Sequence, residues 1–179
     1  MLTEIIISGF GGQGVLLAGQ LLAYAGMDAD FHVTWLPSYG PEMRGGTANC
    51  TVIIGDEEIG APVVQFPQAV VAMNLPSLIK YEDSIKPGGF VIINSSIIEK
   101  KVSRDDIHAL YVPANQIAET LGNVRMTNMV MVGSLIANTG VLPLDAVKKS
   151  LSAHLPSRHS KFLPLNYQAL DEGAKYLAE

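Results

Sequence analysis

A β-branched run, Ile5-Ile6-Ile7, breaks into Gly9-Phe10-Gly11-Gly12-Gln13-Gly14, and a Leu- and Ala-rich stretch follows over residues 15–25. A short apolar run bounded by glycine predicts a buried strand, and the stretch after the turn predicts a helix that stops near Gly26. Glycines in such a turn permit a tight bend and close backbone approach. Strand, glycine turn and helix in this order open an α/β chain.

The rest of the sequence keeps the alternation. Strands are predicted over residues 31–36, 48–54, 68–73, 90–94 and 109–112. Residues 37–46 predict a loop with two prolines and three glycines, and Gly55-Asp56-Glu57-Glu58 predicts a hairpin turn leading to Ile59. Helices are predicted over residues 76–81, 115–121, 128–137, 144–154 and 166–177. Strands alternating with helices imply a mainly parallel sheet covered on both faces. The expected architecture is Rossmann-like, with an antiparallel hairpin added at residues 48–60 and a helical C-terminal third. No repeat, low-complexity tract or linker divides the sequence, so residues 1–179 are expected to form a single domain.

Composition narrows the function classes. With 48% hydrophobic and 16% charged residues the chain has material for a large core, and a surface this poor in charge suits a face covered by partners. Such a face also implies self-association when the chain is isolated. A formal net charge of −5 and the lack of a basic stripe argue against nucleic acid. No basic region precedes the first apolar run, which Gly9 interrupts, so no signal peptide is expected. No uninterrupted apolar stretch reaches about 18 residues, so no membrane span is expected. Cys50 is the one cysteine, too few for a disulfide, a cluster or a Cys-rich zinc site, and a cytoplasmic location is expected.

Gly9, Gly11 and Gly14 form a GxGxxG pattern between strand and helix. A helix N-terminus there presents N–H groups and a positive dipole to an anion. Two readings stand side by side: an anionic or backbone neighbour at the turn, or glycines that only allow the helix to pack closely. A dinucleotide site would also need an acid about 20 residues further on, after the second strand. Thr34 and Trp35 stand there instead, and Asp28 and Asp30 precede the strand, so nicotinamide dinucleotide binding is not expected.

The most distinctive segment is Ser38-Tyr39-Gly40-Pro41-Glu42-Met43-Arg44-Gly45-Gly46. It follows a strand end, where α/β sheets place their sites. Arg44 can bind a phosphate or carboxylate bidentately, and Glu42 can pair with it, hold a partner's amide or position a cofactor amine. An internal Glu42–Arg44 ion pair that shapes the loop is the plain alternative.

Together the two motifs resemble the gamma subunit of 2-oxoacid:ferredoxin oxidoreductases, over essentially the whole chain. The Gly-Gly-Thr-Ala-Asn-Cys ending leans to the 2-oxoglutarate or branched-chain members. The resemblance implies a non-autonomous subunit of a complex that oxidatively decarboxylates a 2-oxoacid to acyl-coenzyme A and passes electrons to ferredoxin. It implies thiamine diphosphate, magnesium, iron–sulfur clusters and coenzyme A in the assembled complex, and none of them in this chain alone. Partners would be the thiamine-binding and ferredoxin-like subunits, with ferredoxin itself reached indirectly. Gly11, Gly12, Gln13, Gly14, Ser38, Tyr39, Glu42, Arg44, Gly45 and Gly46 would face the active-site region or the coenzyme A channel, and no residue of this chain would be catalytic. The alternatives are a free-standing nucleotide-binding enzyme and a purely structural scaffold.

Other chemistry-bearing residues read more plainly. Cys50, inside a strand, is expected to be buried and inert. His32, His108, His154 and His159 show no paired metal spacing. Asn94-Ser95-Ser96 reads as a polar turn at a strand end. Met126, Met129 and Met131 read as core or interface filler. The short basic run at 157–161 reads as a solvated loop before it reads as an anion contact.

Overall fold

The computed structural model describes residues 1–39 and 46–178. The first strand, β1 (Leu2–Phe10), leads through the glycine turn into α1 (Val15–Asp28). Two long strands follow, β2 (His32–Tyr39) and β3 (Thr47–Gly55). Then come β4 (Ala69–Ala72), α2 (Leu75–Tyr81), β5 (Phe90–Asn94) and β6 (His108–Val112). The C-terminal third is helical: α3 (Ala114–Thr120), α4 (Thr127–Thr139), α5 (Leu144–His154) and α6 (Leu163–Ala174).

The six strands form one sheet in the order β2-β3-β1-β4-β5-β6. The pairs β1–β4, β4–β5 and β5–β6 are parallel, as expected. The antiparallel addition differs from the expected one. It is made by β2 and β3, and β3 also pairs antiparallel with β1. Strand β3 thus enters between β1 and β2 and is the one strand that runs against the others. Ile59 joins no strand, and Asp56 instead meets the N-terminal amine. Strand β2 runs through Pro37 to Tyr39 where a loop was expected. Pro37 is tolerated because β2 is an edge strand, whose outer side demands no ladder donor.

Alternation along the strands divides the core into two layers. Ile5, Ile7, Val71, Ile92 and Leu110 point to one face, with Cys50, Val52 and Ile54 of β3, and pack under α1 and α3–α6. Ile6, Val70, Val91 and Ile93 point to the other, against Leu78 of α2 and Ile98 and Ile107 of the β5–β6 connection. Helices therefore cover both faces, but unequally. Strand β4 is buried on both sides, which explains its unbroken Ala69-Val70-Val71-Ala72 sequence. No helix among the described residues is long and apolar enough to cross a membrane.

Candidate functional site

Strands β1 and β4 send their following helices to opposite faces of the sheet, because α1 packs in one layer and α2 in the other. The crevice between their C-terminal ends is a switch point of the kind where open α/β sheets place ligands. Gln13 bridges it. Its Oε1 accepts from the Phe10 N–H at 2.6 Å, and its Nε2 donates to the Met73 carbonyl at 3.0 Å. A Cβ at Gly9 would stand 2.6 Å from that Oε1 and 2.9 Å from Met73 Cβ, so glycine at 9 makes room for the bridge. Gly12 and Gly14 have φ of 95° and 76°, the left-handed region that glycine enters without penalty.

The turn is also tied to two distant segments. The Gly11 N–H donates to the Gly46 carbonyl at 2.9 Å, and Asn128 Nδ2 at the start of α4 donates to the Gly14 carbonyl at 3.2 Å. A Cβ at Gly14 would lie 2.5 Å from that Nδ2. The turn therefore carries structural duties at 9, 11 and 14, and its outer side is left to line a cavity of about 760 Å³. Gly12, Gln13 and Gly14 form part of the lining. The other walls come from the α3–α4 connection, with Arg125, and the α5–α6 connection, with Arg158, His159 and Phe162.

Of the residues singled out in the sequence, Gly11, Gly12, Gln13, Gly14 and Gly46 are brought together. Ser38 and Tyr39 pair with Asn49 and Ala48 of β3, so β2 ends at the same edge of the sheet. Both are exposed. Glu42, Arg44 and Gly45, with Gly40, Pro41 and Met43, lie outside the described residues. Arg125 and Asn128 carried no sequence pattern that tied them to the turn, for Asn128 is 114 residues from Gly14. The basic run 157–161, read first as a solvated loop, brings Arg158 and His159 to the cavity.

The family model described as pyruvate ferredoxin/flavodoxin oxidoreductase matches residues 4–176, which takes in both motifs and every strand after its first residues. The chain belongs to the pyruvate ferredoxin/flavodoxin oxidoreductase family. It is 37% identical over 178 residues to the ketoisovalerate oxidoreductase subunit VorA of Methanothermobacter thermautotrophicus. That match takes in 98% of this chain but 36% of VorA, so the chain spans about a third of the length of that relative. It is 39% identical over 163 residues to the 2-oxoglutarate synthase subunit KorC of Methanothermobacter marburgensis, across 87% of this chain and 88% of KorC. Among solved structures, the keto/oxoacid ferredoxin oxidoreductase gamma subunit from Geobacter sulfurreducens superposes with a TM-score of 0.82 at 30% identity. The superposition covers 97% of this chain and 96% of that one. The family resemblance seen in the two motifs is thereby borne out.

Cys50 shows what this family member keeps away from chemistry. Burial pushes its thiol up to about 11, and Sγ lies 3.5 Å from the Val15 carbonyl. At pH 8 only about one thiol in a thousand would be ionised. A disulfide reagent such as Ellman's is expected to leave the native protein unlabelled and to react fully once denaturant unfolds it. Fast labelling of the native protein would show that β3 and α1 part readily.

Proposed function

We propose that the chain is the gamma-type subunit, or the gamma-type part of a longer subunit, of a cytoplasmic complex that oxidatively decarboxylates a 2-oxoacid. The acyl group passes to coenzyme A and the electrons to ferredoxin. The observation that carries the reading is the cavity at the switch point, floored by the glycine motif that also carries the family likeness. Thiamine diphosphate, magnesium and the iron–sulfur clusters belong to partner subunits, and this chain turns the cavity and the 38–46 segment toward coenzyme A and the shared active site. The names of VorA and KorC favour a branched-chain 2-oxoacid or 2-oxoglutarate as substrate.

The protein alone is expected to show no 2-oxoacid oxidation with thiamine diphosphate, coenzyme A and an electron acceptor. Turnover should follow on adding the thiamine-binding and ferredoxin-like subunits. In that reconstituted complex Arg44→Ala should raise the KM for coenzyme A about tenfold or more, the cost of one hydrogen-bonded charge, while the melting temperature of the protein barely moves. Turnover by the partner-free protein would refute the reading. A lowered melting temperature with normal turnover would assign Arg44 to the scaffold instead.

A further inference from the structure

The two sides of the sheet are covered unequally. Helices α1 and α3–α6 lie over one. Over the other, α2 packs on Ile6 of β1, Val70 of β4 and Val91 and Ile93 of β5, and among the described residues no helix packs on β3 or β2 from this side. Ile53 of β3 is buried here all the same, but Thr51 and Asn49 are half-buried and Thr47 is exposed. The opening therefore lies at the C-terminal ends of β1 and β2, where antiparallel β3 begins.

The side chains in the opening are unlike those of an ordinary solvated surface. The cross-strand pairs Leu36–Thr51, Ser38–Asn49 and Phe10–Thr47 face it, and none of them carries a charge. Helix α2 borders it with Leu75, Pro76 and Ile79 exposed, and Lys80 is the one charged side chain on that helix. Depletion of Lys, Glu and Asp marks the middle of a protein interface. Grouped exposed apolar side chains mark a surface that binds.

Size selects the occupant. Strands about 4.8 Å apart and a helix about 10 Å wide make a platform about 25 Å across, and the stretch from Ile6 to Phe10 gives it a depth of about 16 Å, so its plan area is about 400 Å². A stable interface needs about 800 Å² on each partner. A second copy laid face to face would cover the platform alone and fall short. A larger polypeptide can continue past the Ser38 and Tyr39 end of β2 and reach that area. The relatives contain such a neighbour: the matched part is 88% of KorC but 36% of VorA, where the remaining polypeptide is joined to it covalently. A neighbour that is never released makes an apolar interface, like a core cut in two.

We propose that this platform seats the polypeptide that forms the rest of VorA, present beside this chain as a separate larger subunit, and that the subunit meets it with an apolar, uncharged surface of its own. The inference rests on the chain working inside a complex. It gives the two sides of the sheet separate duties, with the cavity on the α1 side and attachment on the α2 side.

The test uses the full chain and the larger partner subunit, with association followed by sedimentation velocity. The variants are Leu36→Lys and Ile79→Lys, at positions 43% and 58% exposed in the platform, and Met27→Lys on α1, at a position 59% exposed on the other side. Lysine suits the C-terminal turns of α1 and α2 alike, so neither helix is weakened. Both platform variants should bind the partner about tenfold or more weakly, because each buries an unpaired ammonium, and Met27→Lys should bind as wild type does. Each isolated variant should keep the wild-type melting temperature. Wild-type affinity in either platform variant overturns the proposal, and so does equal weakening by Met27→Lys. Loss of self-association in the isolated platform variants, with assembly intact, overturns it too and gives the platform to a second copy. Hydroxyl-radical footprinting of the wild type decides the matter where a variant folds poorly. Phe10, Leu36 and Ile79 should be protected once the partner is added, and unchanged labelling overturns the proposal. Failure of the wild-type chain to bind the partner refutes the subunit reading and the platform with it, whereas platform variants that assemble and turn over normally overturn only the platform.

Discussion

Replacing Gly133 with alanine is expected to destabilise the protein by about 2–3 kcal/mol, the range of overpacking that no side chain can relieve. A Cβ at Gly133 of α4 would lie 2.0 Å from the Leu170 carbonyl oxygen, 2.8 Å from its carbon and 3.0 Å from Leu170 Cα. The obstacle is the main chain of α6, not the end of a flexible side chain. Gly173 of α6 reciprocates, since its Cβ would lie 1.9 Å from the Val130 carbonyl oxygen of α4. The two helices therefore cross with each backbone seated in the other's glycine. Alanine would gain about 1 kcal/mol of helix propensity. That gain is smaller than the cost of parting α4 from α6 and loosening Val130, Ala169 and Leu170, all fully buried. Denaturant midpoints followed by circular dichroism measure the loss. Gly60→Ala, where a Cβ would meet nothing within 4 Å, is the control and should leave the midpoint in place. An unchanged midpoint for Gly133→Ala would mean that the helices cross further apart. A second consequence reaches the site, because α4 carries Asn128 and its bond to the Gly14 carbonyl.

That crossing also shows where sequence reasoning stops. The bounds of β5 (Phe90–Asn94) and α5 (Leu144–His154) are those the residue pattern predicts. Each is framed by local chemistry, a Pro87-Gly88-Gly89 turn before β5 and Pro143 before α5. Helix α6 starts at Leu163, earlier than expected, with Pro164 in its first turn, a position proline accepts because its missing N–H has no helical partner there. The path of β3 depends on nothing local. Its residues pair with β1 on one side and β2 on the other, and the register is fixed by burial of alternate side chains at a distance. The glycine turn was readable because strand, turn and helix are contiguous. Arg125 and Arg158 were not, because the cavity is closed by connections that meet only after the helices pack. Neither Gly133 nor Gly173 belongs to a motif, and their role exists only between two helices.

Glu82→Ala is the second large effect expected, a loss of about 2 kcal/mol at neutral pH that fades in acid. Glu82 is nearly buried at the end of α2, beneath the β5–β6 connection. Its Oε1 accepts from the Ser103 N–H at 2.6 Å and the Ser103 hydroxyl at 2.8 Å, and its Oε2 pairs with Lys100. Arg104 fastens the same connection by donating to the carbonyls of Glu82 at 2.9 Å and Ile85 at 2.7 Å. The carboxylate thus pins a segment without helix or strand that covers the thinner side of the sheet through Ile98 and Ile107. Breaking a buried pair by removing one partner costs about 3–5 kcal/mol. Lys100 is 38% exposed and regains water, which lowers the figure here. Burial pushes the Glu82 carboxyl up, but the hydrogen bonds from Lys100 and from Ser103 and the charge of Lys100 outweigh it and hold the pKa below the ordinary value. A carboxyl depressed in the folded state stabilises the fold above its unfolded pKa and loses that contribution as pH falls through the folded one. The gap between wild type and Glu82→Ala should therefore be full at neutral pH and narrow below about pH 4. Denaturant midpoints of both proteins across that range measure it. A gap that stays constant into acid would show that Glu82 acts through packing, with its charge contributing nothing to the hold on the 100–106 segment.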